Sequence, residues 1–159
     1  GLVEMVSVKF PTPVSSKISL VVLIYLFSIF ATSLRVDASE GVLLLKVDIS
    51  AQQMTVYQDG KQRHTWKVST ARRGKVTPRG SWKAKWLSRH HRSSRYNNAP
   101  MPYSIFYNGN FAIHGTNQIK KLGRPASAGC IRLHPKNAAI IFDLTKSYGL
   151  GNTFVSVVN

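Results

Sequence analysis

The chain has 159 residues, with 22 lysines and arginines against six acids and a formal net charge of +16. That length suits one ordinary domain and is too short for two. Its single cysteine rules out an internal disulfide, and the scattered histidines do not complete a zinc site with it. The charge leaves nucleic acid, anionic lipid and carboxylate-rich cell wall as partner classes.

Lys9 and Lys17 precede an apolar run from Ile18 to Ala31, and a more polar stretch ends at Val36-Asp37-Ala38. This order predicts a secretory signal peptide over 1–38, cleaved after Ala38, with Ala31 the weaker site. An uncleaved anchor is the alternative, although a bilayer span wants about 20 apolar residues. Met5 is the expected initiator, with Gly1 to Glu4 upstream. The expected domain is then 39–159, exported to the periplasm or cell wall, with membrane contact only through the N-terminal segment. It keeps 19 basic residues and four acids (Glu40, Asp48, Asp59 and Asp143), a net charge of +15. Export argues against a nucleic-acid partner.

Val42 to Ile49, Gln53 to Gln58 and Gln62 to Ser69 read as three strands of a meander, with Asp59-Gly60 as a hairpin turn. Thr70 to Gly80 is a loop rich in Gly, Pro and Arg. Ser81 to Leu87 alternates with period two and predicts one strand with a wet face. The densest basic stretch, Arg72 to Arg95, interleaves Trp82, Trp86, His90 and His91 with its cations. Aromatics among cations can stack bases, which keeps a nucleic-acid reading beside the solvated-face one. Ser88 to Pro102 is polar and long enough to be a functional loop. Tyr103 to Tyr107 and Phe111 to His114 predict a hairpin around Asn108-Gly109-Asn110. Pro135, the spacing of Ala138, Ile141, Phe142, Thr145 and Tyr148, and Gly149 predict one helix. Thr153 to Val158 is a last strand. The expected fold is mainly β with one principal helix.

The lone thiol stands in Ser127-Ala128-Gly129-Cys130-Ile131-Arg132-Leu133, downstream of Ile113-His114-Gly115-Thr116. A free cysteine has a pKa of about 8.5 and needs activation at neutral pH. His114 can supply that as a general base or as the imidazolium of an ion pair. With few carboxylates in the chain, the carbonyl of Gly115 is a reasonable orienter for the ring. Gly129 allows close approach of an acyl carbonyl, and its N–H with that of Cys130 could form an oxyanion hole. Arg132 offers a fork for a substrate carboxylate. The bland alternative is a small buried hydrophobe beside a structural histidine.

His114-Gly115-Thr116, Gly123-Arg124-Pro125 and the Ser127 to Leu133 motif closely resemble the signature of L,D-transpeptidases of the YkuD type. The resemblance extends through Val68-Ser69-Thr70, Thr77-Pro78-Arg79-Gly80 and Ala99 to Ser104, covering nearly all of Val42 to Val158. It implies a β-sandwich of mixed sheets carrying a helix, working without metal or organic cofactor. The implied enzyme serves peptidoglycan biosynthesis, wall biogenesis and cell shape. It would act on tetrapeptide stems through a thioester, forming 3→3 crosslinks or exchanging the terminal D-amino acid. By resemblance Cys130 is the nucleophile, His114 the base and Gly115 its orienter. Arg132, Gly129, Ser127, Tyr103 and Met101 would serve the substrate. Ala128 departs from the family, which commonly has histidine there. The alternatives are an L,D-carboxypeptidase or endopeptidase of the same fold and a non-catalytic basic wall-binding protein.

Overall fold

A computed structural model of the protein describes residues 41–159. The predicted signal segment and its cleavage site lie outside the described residues. Strands β1 (Leu43–Asp48), β2 (Gln53–Gln58) and β3 (Lys61–Lys67) form the expected meander. Asp59 and Gly60 join β2 to β3 with φ of 52° and 76°, the pair of positive values that a tight two-residue hairpin needs. The later strands are β4 (Gly80–Lys83), β5 (Trp86–Arg92), β6 (Pro100–Asn108), β7 (Phe111–Gly115), β8 (Ile131–Leu133) and β9 (Thr153–Val158).

These strands build two mixed sheets, in the orders β3-β2-β1-β9-β4 and β5-β6-β7-β8. Each contains one parallel pair, β1 with β9 and β7 with β8. Helix α1 (Pro135–Tyr148) packs on β6, β7 and β1. The His134 side chain caps it by accepting the Lys136 N–H at 3.2 Å, and Pro135 follows where no N–H is needed. Gly149 ends it at φ 87°. Ala138, Ile141, Phe142 and Thr145 form its buried stripe. The core joins Leu43, Leu45, Val47 and Val155 of one sheet to Ile105, Ile113, Ile131 and Leu133 of the other. Side chains from two inner faces make one apolar layer, as in a sandwich. The mainly-β, one-helix expectation holds.

The run Ser81 to Leu87 is not one strand. It breaks at Ala84-Lys85, where the chain crosses between sheets: β4 pairs with β9 and β5 with β6. The two corner amides bond to opposite sheets, Ala84 N–H to Thr153 O and Lys85 N–H to Phe106 O, both at 2.8 Å. Period-two alternation records which face a residue takes but not which neighbour it pairs with. The long polar loop also contracts to Ser93–Ala99, because β5 runs on to Arg92 and β6 begins at Pro100.

Candidate active site

The register of β7 and β8 assembles the site. Ile113 faces Ile131, His114 faces Arg132, and Gly115 faces Leu133. Ile113, Ile131 and Leu133 are fully buried in the sandwich core. Successive side chains alternate faces, so His114 and Arg132 point to the other side, with Cys130 two residues before Arg132 joining them. That side is not open solvent. Met101, Phe106 and Ala112 form a second small apolar layer, and Cys130 packs against it.

His114 is 5% exposed, and its Nδ1 lies 2.7 Å from Gly115 O. A carbonyl only accepts, so Nδ1 carries the proton and Nε2 keeps its lone pair. Burial pushes the imidazole pKa down to about 4, against the Gly115 hydrogen bond and with help from the Arg132 and His91 charges. Gly115 has little room for a side chain: an added Cβ would sit 3.1 Å from both Pro102 Cγ and Pro135 Cα.

Cys130 is half-buried, and its Sγ lies 3.8 Å from the Asn110 carbonyl oxygen. Burial pushes the thiol above its ordinary range, opposed by the Ala112 N–H and the Arg132 charge. Both shifts favour the uncharged forms, thiol and imidazole, over thiolate and imidazolium.

The turn before Cys130 is tightly built. Gly129 has φ 141°, and a Cβ there would lie 2.6 Å from Phe111 Cε1 and 2.9 Å from Val76 O. Its N–H donates to Ser127 Oγ at 3.0 Å, and its carbonyl accepts from Thr77 Oγ1 at 2.8 Å. Thr77 Oγ1 also accepts the Ala71 N–H at 2.9 Å. The Gly129 amide, expected to face an oxyanion, is thus engaged by Ser127 in this resting structure. Ser127 itself is fully buried, and its carbonyl accepts from the Arg72 backbone N–H at 2.9 Å and from Arg72 Nη1 at 3.3 Å.

Arg132 is half-buried and donates from Nη1 to Gln118 Oε1 at 3.0 Å. Met101 is buried in the layer beside the thiol. Tyr103 lies elsewhere: its ring meets Phe142 of α1 edge-on at 5.8 Å, under the Arg89 guanidinium at 5.3 Å. Three side chains that sequence reasoning missed also stand on the thiol face. Trp86 stacks on Phe106 at 3.7 Å, and His91 meets both rings edge-on. The pairing of His91 with Met101 and of Trp86 with Phe106 puts them there. Only knowledge of that strand pairing could have found them. Among the described residues no cluster of three or more His, Cys, Asp or Glu could hold a metal ion.

The L,D-transpeptidase catalytic domain known as YkuD matches residues 43–157 of this sequence. The chain belongs to that family. Its fold resembles an L,D-transpeptidase from Stackebrandtia nassauensis, at 26% identity and a TM-score of 0.65, over 82% of this chain and 62% of that one. It also resembles an L,D-transpeptidase solved in complex with imipenem, at 25% identity and a TM-score of 0.66, over 74% of this chain and 59% of that one. A Mycobacterium tuberculosis L,D-transpeptidase shares the fold at 20% identity and a TM-score of 0.67, over 75% of this chain and 58% of that one. The YkuD domain here thus spans about three-fifths of the length of these solved relatives. No curated protein matches the chain significantly.

Proposed function

We propose that this YkuD-family chain is a cysteine-dependent L,D-transpeptidase, exported to the periplasm or cell wall and acting on peptidoglycan stem peptides. The observation that supports the reading is the β7–β8 register, which pairs His114 with Arg132, together with the packing of Cys130 against the Met101, Phe106 and Ala112 layer. Family membership adds the reaction class.

The lowered imidazole and raised thiol favour a general-base mechanism over a preformed ion pair. Nε2 of His114 takes the thiol proton as Sγ attacks the carbonyl carbon of the L-to-D peptide bond. The tetrahedral oxyanion collapses and the C–N bond breaks. The leaving D-amino acid receives the proton from the imidazolium, and a thioester remains. An acceptor amine then attacks the thioester and gives a proton to Nε2. The C–S bond breaks, and the sulfur recovers that proton. A stem amine as acceptor gives a 3→3 crosslink, and a free D-amino acid gives exchange. The Arg132 guanidinium supplies positive charge on the substrate side.

Intact-mass measurement tests the nucleophile. Incubation with imipenem should add one adduct, mapped to Cys130 and absent from Cys130→Ala. An adduct on another residue, or none, sinks the assignment. Muropeptides from tetrapeptide-rich wall incubated with the chain should then gain 3→3 dimers. Tripeptides without dimers would identify a hydrolase, and an unchanged wall would identify a binding protein.

A further inference from the structure

Two segments, one of which runs into β8, are laced together by backbone and side-chain hydrogen bonds. In the first, 67–79, Val68 O accepts the Gly123 N–H at 2.8 Å, and Thr70 O accepts the N–H of both Ala126 and Ser127. Ser69 Oγ donates to Arg124 O at 2.8 Å, and isolated bridges join Ser69 to Arg132 and Ala71 to Ser127. The second segment, 117–132, ends at the thiol motif.

This laced pair is strongly cationic. The first segment carries Lys67, Arg72, Arg73, Lys75 and Arg79, and the second Lys120, Lys121, Arg124 and Arg132. Neither contains an acid. The three acids among the described residues are engaged elsewhere. Asp48 accepts from Ser50 and Ala51, Asp59 from Val42 and Tyr148, and Asp143 pairs with Arg89. Arg72, Arg124 and Arg132 reach only uncharged oxygens, on Ser127, Lys120 and Gln118. The other half of the basic stretch differs: Lys83 lies over Phe154, and Arg89 over Tyr103 and Phe142.

Like charges gathered on two laced segments repel one another, and a polyanion relieves that repulsion. The two segments contain no Trp, Tyr or Phe. They therefore lack the stacking platforms that single-stranded nucleic acid uses. The ridge runs directly into the turn that holds Cys130.

We propose that the laced segments 67–79 and 117–132 form a docking ridge for the carboxylate-bearing peptides of the cell wall, and that it retains the enzyme beside its substrate. This rests on the proposed function for its choice of polyanion. Retention raises the effective concentration of stems at the thiol.

Co-sedimentation of the full chain with purified sacculi tests it. One variant combines R73E, K75E, K120E and K121E. A control of equal net charge combines K46E, K61E, R63E and K146E, away from the ridge. The ridge variant should lose wall affinity by roughly tenfold or more and flatten its salt dependence, with the control within about threefold of the parent. Equal losses in both would reduce the effect to net charge and overturn the ridge, as would no loss in the ridge variant. Tighter binding to duplex DNA, or to vesicles rich in anionic phospholipid, than to sacculi would overturn the choice of partner. Imipenem acylation of Cys130 should proceed at the parental rate in both variants, which also shows that they fold. Absence of acylation in the parent would defeat the proposed chemistry and leave the sedimentation result to judge the ridge.

Discussion

The two parallel strand pairs are built alike but serve different ends. In β1–β9 the inward residues Leu43, Leu45, Val47, Val155 and Val157 fill the core, while the outer face, with Lys46, is wetter. In β7–β8 the inward residues Ile113, Ile131 and Leu133 do the same, but the outer face is covered again, with Ala112 fully buried and His114 nearly so. Parallel pairing alone produces structure. A second apolar layer on the far side produces a place where desolvation biases an imidazole and a thiol toward their uncharged forms.

Removing the imidazole should break the comparison most severely. His114→Ala is expected to slow acylation of Cys130 by about 10²–10⁴-fold, the usual scale of a positioned general base. Stopped-flow acylation by imipenem reads it, and a loss under tenfold would mean that the base lies elsewhere. The two inward faces should respond equally in stability and differently in rate. Leu45→Ala and Ile131→Ala should each cost about 2–5 kcal/mol in denaturant unfolding. Only Ile131→Ala should also slow acylation, because it loosens the strand that follows the thiol.

Acid should expose the cost of the buried ring. The folded pKa of His114, about 4, lies below the unfolded value of about 6.5, so between these values the unfolded chain binds the extra proton. His114 therefore destabilises the fold progressively as pH falls from 6.5 through 4, by on the order of 3 kcal/mol, and has no such effect above that window. Melting curves of the parent should show this slope, and His114→Gln should flatten it. Iodoacetamide alkylation of Cys130 should keep accelerating above the ordinary thiol range, because burial raises the thiol. A plateau reached near neutrality would indicate an ion pair instead. At the small end, Thr77→Val should cost about 1–3 kcal/mol, by leaving the buried Gly129 carbonyl and Ala71 N–H without their shared partner.

Much of this was legible in the residues. The meander, the helix with Pro135 and Gly149 at its ends, and the last strand follow from local periodicity and turn chemistry. The Gly115 carbonyl, expected to orient His114, lies within hydrogen-bond reach of its ring. Pairing was less legible. The corner at Ala84-Lys85 is invisible because both halves of the run alternate identically. Trp86, His91 and Phe106 reach the thiol face through the β5–β6 register, and nothing local announces it. The rotation of Tyr103 onto Phe142 accompanies a positive φ of 56° at that residue, a backbone setting that strand alternation does not anticipate. The engagement of the Gly129 amide by Ser127 likewise depends on a turn whose exact shape only the folded chain fixes.

A thiol that burial biases toward its protonated form is also a poorer target for peroxide, since oxidation to sulfenic acid proceeds through the anion. The small apolar layer around Cys130 therefore favours the form of the thiol that resists oxidation. In the proposed reaction, that bias keeps the nucleophile unspent until a substrate arrives beside the ring that deprotonates it.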